Sequence, residues 1–155
     1  LKLYKRMCLK IKNLSKSSYE IYCKTLKPIK KISTKEFPGY PTDLQAQLIA
    51  TQLKSGLKSK VVENIFENRF IHIPELRRFG ANLSIKGNTV TIDKTSNLLG
   101  AEVMATDIRA SFSLIIAAMM SKGKTVINRI YHLDRGYEDF DLKLKKCGVN
   151  ISRKK

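Results

Sequence analysis

The chain has few of the features that carry function in many protein classes. None of its apolar runs approaches the roughly 18 residues of a membrane-spanning helix. Residues 1–9 are basic but lack the apolar stretch of a signal peptide. Only three cysteines occur in 155 residues, Cys8, Cys23 and Cys147, widely spaced and odd in number. They form neither a CxxC metal pattern nor a disulfide framework, so a reducing, cytosolic compartment is the plain reading. His72 and His132 fall in no nucleophile triad and at no metal-ligand spacing. Ser111 and Ser113 lack a GxSxG-type elbow and read as packing residues. Acidic groups are scarce as well, 13 against 30 basic, for a net charge of +17. Nucleic-acid binders usually add a groove-reading helix or stacking aromatics at motif spacing, and neither is here. The charge therefore reads as a Lys-biased surface, compatible with a basic cleft for phosphorylated substrates.

What the chain does have is a repeat. Thr42-Asp43-Leu44-Gln45-Ala46 and Thr106-Asp107-Ile108-Arg109-Ala110 each open an apolar, helix-like run. Each run is followed by a Gly, a β-branched stretch, an Arg in a polar cluster and a second short helix closed by Gly. The closing segments match too: Leu76-Arg77-Arg78-Phe79-Gly80-Ala81-Asn82 against Leu144-Lys145-Lys146-Cys147-Gly148-Val149-Asn150. A duplicated unit of this length is a supersecondary module that cannot bury its apolar face alone. Each copy delivers one Asp at a helix start and one Arg after a strand, which are groups that a site for an anionic substrate needs.

Thr42 as N-cap and Gln45 three residues later form a capping-box pattern, with Asp43 in the first turn. Leu44, Leu48, Ile49 and Leu53 give one buried stripe, closed by Gly56. Val61-Val62 begins a strand, and Pro74 opens a short helix running to Phe79. Leu83-Ser84-Ile85 and Val90-Thr91-Ile92 alternate like a hairpin. In the second copy, Ile108 to Met120 is apolar nearly all round, the pattern of a helix enclosed on every side. Lys124 to Ile130 then reads as strand, Tyr137 to Lys146 as helix and Val149 to Ser152 as a last strand. The fold class expected is mixed, α+β or α/β, with buried helices and sheets outside them. Residues 1–36, with eleven basic and two acidic groups, are set apart as a segment of unassigned structure whose one plausible strand is Lys30 to Thr34. Residues 37–155 divide into two repeats, about 37–100 and 101–155. Two copies leave an uncovered side, so the chain reads as part of a longer protein.

Four stretches carry a resemblance: Phe37 to Gln47, Ile65 to Phe70 (Ile-Phe-Glu-Asn-Arg-Phe), Gly100 to Ser111 and Arg129 to Glu138. In order and essentially without gaps, from Phe37 to about Arg153, the chain resembles the C-terminal part of the UDP-N-acetylglucosamine enolpyruvyl transferases. EPSP synthases share their fold. The resemblance implies an inside-out barrel in which each domain is built from three βαβαββ units around buried helices. It also implies transfer of the enolpyruvyl group of phosphoenolpyruvate to the sugar 3′-hydroxyl of UDP-N-acetylglucosamine, the first committed step of peptidoglycan synthesis, with no metal or other cofactor.

By that resemblance, Asp43 approaches the sugar hydroxyl as general base or orienting group. Arg69, Arg109 and Arg135 surround phosphoenolpyruvate, where planar guanidinium forks suit carboxylate and phosphate. Asp107 lies beside the reacting carbons, and Ile65 and Phe66 border the nucleotide-sugar. The residues alone leave other accounts open: Asp43 as a helix-dipole acid, Asp107 as a partner holding Arg109 or Arg135, Ile65 and Phe66 as core, the arginines as solvated surface. The family's Cys-bearing, Gly-rich loop, its proton donor, has no match here, nor do the cations of the family's N-terminal region. The chain is thus expected to carry half of a site and to need a region or separate chain that supplies the rest. The rival reading is a non-catalytic remnant that binds nucleotide-sugar or a partner.

Overall fold

A computed structural model describes residues 2–154. The chain runs α1 (Lys2–Arg6), β1 (Lys10–Asn13), β2 (Tyr19–Tyr22), β3 (Lys31–Ser33), a 3-10 turn over Thr42–Leu44, α2 (Gln45–Gln52), β4 (Ser59–Val62), α3 (Ile73–Arg78), β5 (Leu83–Lys86) and β6 (Thr89–Ile92). It continues with β7 (Glu102–Met104), α4 (Ile108–Met120), β8 (Val126–Asn128), α5 (Tyr131–Asp134) and α6 (Phe140–Lys146). Among the described residues no helix is long and apolar enough to cross a membrane.

The duplication is visible as two parallel crossovers. Strand β3 pairs in parallel with β4 across α2, with Ile32 opposite Val61; β7 pairs in parallel with β8 across α4, with Val103 opposite Ile127. Parallel neighbours need a crossover, and a helix supplies it. In the first unit the hairpin β5–β6 completes a four-stranded sheet of order β3-β4-β6-β5. Among the described residues the second unit has only the β7–β8 pair. Helices α2 and α4 pack on each other, and Ile32, Val61, Val90 and Ile92 from one sheet and Val103 from the other close over Leu48, Ile49, Leu114 and Ala117 in one core. A smaller cluster of Ile115, Leu133 and Phe140 lies under α5 and α6.

Several expectations change. Thr42 does not cap α2. The residue before the 3-10 turn is Pro41 and no side chain caps it, because the Thr42 hydroxyl is drawn to Glu63. Leu44 is 39% exposed while Leu48, Ile49 and Leu53 are buried. Helix α4 is not enclosed all round: Phe112, Ile116, Ala118 and Met120 are half-buried and Met119 is 45% exposed. The strand expected from Lys124 shrinks to Val126–Asn128, since Arg129 turns out of it at φ 58°. The last helix starts at Phe140, after Asp139 in the left-handed region, and Tyr137 stacks on Phe112 instead, with ring centroids 4.4 Å apart. Val149–Ser152 is not a strand. It has no ladder partner among the described residues, and Ile151 packs into the smaller cluster while Arg153 reaches Asp134 and Asp141 at 2.8 to 3.1 Å.

The segment left unassigned carries α1, β1 and β2, and it follows a familiar plan. Helix α1, Met7, Cys8 and the β1–β2 hairpin repeat α3, Phe79, Gly80 and the β5–β6 hairpin. Cys8 stands at φ 68°, where Gly80 and Gly148 stand at 85° and 87°. This partial copy is not legible in the sequence because the left-handed Gly, the strongest marker of the helix end, is a Cys here. Met7, Ile29 and Ile32 are buried in the main core.

Candidate active site

Asp43 lies within the 3-10 turn that leads into α2, so its carboxylate projects from the turn and does not fold back onto orphan helix amides. Arg69, beyond β4, meets it at 3.0 Å through Nη2, and Arg109, in the first turn of α4, meets the same Oδ1 at 2.6 Å through Nε. The Asp43 side chain remains 60% exposed. Two of the expected arginines thus converge on the expected Asp from different repeat units. The packing of α2 on α4 is what makes this convergence happen.

Asp107, at the matching place in the second unit, does something else. Its backbone is extended, and Oδ1 accepts from the N–H groups of Arg109 and Ala110, both at 2.8 Å, a complete N-cap of α4. It holds Arg109 through the helix backbone and does not reach out to Arg135. The Ser111 hydroxyl donates to the Asp107 carbonyl and that of Ser113 to the Ala110 carbonyl, so both serines are spent inside the helix. Arg135 ends α5 and is exposed. The next residue, Gly136, packs on α4: a Cβ there would meet the end of the Ile108 side chain, which would have to shift. That close approach brings the Arg135 loop against the first turn of α4, next to Asp107 and Arg109.

Behind this cluster is a buried carboxylate that the sequence reading did not single out. Glu63 follows β4 and is 2% exposed. Oε1 accepts from the Thr34 hydroxyl at 2.8 Å and the N–H groups of Ile65 and Phe66 at 2.9 and 3.2 Å; Oε2 accepts from the Thr42 hydroxyl at 2.8 Å. Burial by itself pushes the carboxyl up. The Ile65 amide, the Thr34 and Thr42 hydroxyls and the Phe66 amide together outweigh burial and hold Glu63 below its ordinary value. The signal was strand alternation: Ser59, Val61 and Glu63 fall on one face and all three are buried. Ile65 and Phe66 are placed by their amides, and the Phe66 ring, exposed, lies under the Arg69 guanidinium at 4.7 Å.

His72 is also buried, 1% exposed, with Nε2 unpartnered. Burial lowers it to about 4, with nearby Asp107 pulling it up and Arg69 pushing it further down, so the imidazole is neutral at neutral pH. Among the described residues no group of three or more His, Cys, Asp or Glu side chains could hold a metal ion. Cys8 is half-buried, and Cys23 and Cys147 are exposed, away from this cluster in the sequence.

Comparisons with known proteins bear on the fold and the family. The chain is 57% identical over 122 residues to a UDP-N-acetylglucosamine 1-carboxyvinyltransferase of Rhodopseudomonas palustris (strain TIE-1), an alignment covering 79% of this chain and 28% of the relative. To the protein of that name from Pelagibacter ubique (strain HTCC1062) it is 54% identical over 136 residues, covering 86% of this chain and 33% of the relative. The chain therefore spans between 28% and 33% of the length of these relatives. The crystal structure of the enolpyruvyl transferase NikO from Streptomyces tendae superposes with a TM-score of 0.86 at 26% identity, over 97% of this chain and 35% of that one. The family model for EPSP synthase (3-phosphoshikimate 1-carboxyvinyltransferase) matches residues 1–144. With the family model matched over residues 1–144 and the fold shared with an enolpyruvyl transferase of known structure, the chain belongs to the EPSP synthase family of enolpyruvyl transferases.

Proposed function

We propose that this chain supplies part of the active site of a UDP-N-acetylglucosamine 1-carboxyvinyltransferase. The reaction moves the enolpyruvyl group of phosphoenolpyruvate to the sugar 3′-hydroxyl and releases phosphate. The observation that carries the proposal is Asp43, exposed and held at 3.0 and 2.6 Å by Arg69 and Arg109. The names of the relatives that are 54% to 57% identical favour UDP-N-acetylglucosamine as the acceptor.

The chemistry needs the 3′-oxygen to bond to C2 of phosphoenolpyruvate as its proton leaves and C3 gains a proton. Loss of phosphate and of a C3 proton from the tetrahedral adduct then restores the double bond. Asp43 orients the hydroxyl and takes its proton. A carboxylate with a reference pKa near 3.9 is a weak base, so position does most of this work. Arg69 and Arg109, with Arg135 beside the same helix start, face the carboxylate and phosphate charge of substrate and adduct. Asp107 acts by fixing the first turn of α4, which carries Arg109. Ile65 and Phe66 form the border against which the nucleotide-sugar lies. The proton for C3 comes from the rest of the family's site, which we assign to a region equivalent to the relatives' N-terminal part.

The test is phosphate release from phosphoenolpyruvate with UDP-N-acetylglucosamine. Residues 1–155 alone should release none, and adding the family's N-terminal region should produce it. In that assembly Asp43→Asn should lower turnover by about 10²–10⁴, the usual range for a positioned acid–base group. Turnover by the chain alone at roughly 1 per second, typical of enzymes, refutes the half-site reading.

A further inference from the structure

Asp43 and its two arginines form the outer end of a longer chain of hydrogen bonds, whose inner end is the Glu63 carboxylate. We propose that Glu63 is a positioning residue: through Thr42 it orients the Arg69 guanidinium toward Asp43 and toward the anionic substrate. The functional half of this statement rests on the transferase reading above.

The geometry runs in one direction only. Arg69 Nη1 donates to Thr42 Oγ1 at 2.7 Å, and Thr42 Oγ1 donates to Glu63 Oε2 at 2.8 Å. A guanidinium has no acceptor and an ionised carboxylate has no donor. The single Thr42 proton is therefore committed to Glu63, and the hydroxyl oxygen is left to accept from Arg69. The second fork nitrogen, Nη2, is then aimed at Asp43 Oδ1 at 3.0 Å.

The Glu63 side is fixed just as firmly. The Thr34 hydroxyl donates to Oε1 at 2.8 Å and itself accepts the Asn64 N–H at 2.8 Å, while the Ile65 and Phe66 amides close on the same oxygen. Two strand ends, at Thr34 and at Asn64 to Phe66, and the 3-10 turn at Thr42 are thereby tied to one carboxylate. The last of them leads directly to Arg69. The second repeat unit has no such arrangement. The parallel registers place Arg129 where Glu63 stands, and Arg129 is an exposed residue that donates to the Tyr131 hydroxyl.

Glutamine cannot replace Glu63. Its NH₂ must face either the Ile65 and Phe66 amides, donor against donor, or Thr42, whose hydroxyl then loses the acceptor that sets its direction. Valine at position 42 keeps the shape of threonine but breaks the link, while serine keeps the hydroxyl.

Two measurements on Thr42→Val, Thr42→Ser and Glu63→Gln test the proposal. In the first, ¹⁵N spectra of the arginine side chains of the 155-residue chain should show a restricted, slowly exchanging Arg69 guanidinium. Its restriction should disappear in Thr42→Val and Glu63→Gln and persist in Thr42→Ser. In the second, with the N-terminal region supplied, Thr42→Val and Glu63→Gln should lower kcat/KM for phosphoenolpyruvate by up to about 100-fold, the scale of a small misplacement of a positioning group. Thr42→Ser should restore most of it, and the double variant should lose little more than either single one. An unchanged Arg69 spectrum in Thr42→Val, or an active assembly indifferent to that substitution, overturns the proposal. If Glu63→Gln fails to fold, Thr42→Val decides, because Glu63 keeps its other three donors there. An inactive wild-type assembly counts against the transferase reading alone, and the spectra then judge the positioning role.

Discussion

Asp43 and Asp107 open equivalent helices in the two repeat units, within the same Thr-Asp motif, yet they perform different tasks. Asp107 has an extended backbone immediately before α4, which is the conformation from which a side chain can return to the first amides of its own helix. Asp43 lies one step inside a 3-10 turn headed by Pro41, so its carboxylate points away from the amides and is left for Arg69 and Arg109. The residues after the strands diverge as well: Glu63 is buried and saturated with donors, while Arg129 is exposed. Duplication produced two scaffolds of one shape. One now presents a charged pair to solvent from a braced interior, and the other secures the helix that carries the second arginine.

The comparison can be broken first in the core. Ile49 of α2 is fully buried, and Ile49→Ala should destabilise the chain by about 2–5 kcal/mol in urea unfolding. Met119→Ala, on the half-open stripe of α4, should cost less than about 1 kcal/mol. Equal costs would mean that α4 is enclosed after all.

A titration comes next. His72 belongs to the first unit, and its folded value near 4 lies below the ordinary 6.5. The unfolded chain therefore binds the proton more readily than the folded one between those values. The stability that depends on a neutral His72 is present above pH 6.5 and is lost as pH falls toward 4, by about 3 kcal/mol in all. His72→Phe should remove that part of the acid limb from a stability–pH curve. A curve of unchanged shape would place the acid sensitivity elsewhere.

The two aspartates separate at smaller cost. Asp107→Ala should lose about 1 kcal/mol as a helix cap is removed, whereas Asp43→Ala should change unfolding stability by no more than about 0.5 kcal/mol, as expected of an exposed ion pair. The reverse order would show that Asp43, not Asp107, stabilises its helix start.

The last effect, of the same size as loss of the Asp107 cap, concerns the left-handed helix ends. Cys8→Gly should stabilise the chain by roughly 1 kcal/mol, because a side chain at φ 68° is strained and glycine is not. Gly148→Ala should destabilise it by a similar amount, both read from thermal or urea midpoints.

Much of the fold was legible in the sequence. The two central helices, the strand begun at Val61, the Pro74 helix closed at Gly80 and the hairpin of Leu83 to Ile85 with Val90 to Ile92 follow from periodicity and turn chemistry. The βαβ arrangement comes from the family resemblance, and the strand Glu102–Met104 is not foreseen. Thr42 and Gln45 match a capping box but do not form one, because a local pattern cannot reveal a competing acceptor. Glu63, 21 residues away, takes the hydroxyl. Val149 to Ser152 alternates like a strand, but alternation does not supply a neighbouring strand. The helix of the first partial copy was hidden by Cys8 in place of glycine.

In the site, the repeated Asp at a helix start and Arg after a strand is a local, countable pattern that marks Asp43 with Arg69 and Asp107 with Arg135. Arg109 and the roles of all of them come from the family resemblance. The union of Arg69 and Arg109 on one Asp43 oxygen depends on α2 packing against α4, a contact between segments about 60 residues apart. The sequence by itself determined the repeat, the helix and strand periods and the charges available, since each depends on neighbours a few positions away. Only the tertiary structure decided which Asp caps and which faces solvent, and made Glu63 the buried anchor of the cluster. Those outcomes depend on which distant donors arrive within hydrogen-bond reach once the core has closed.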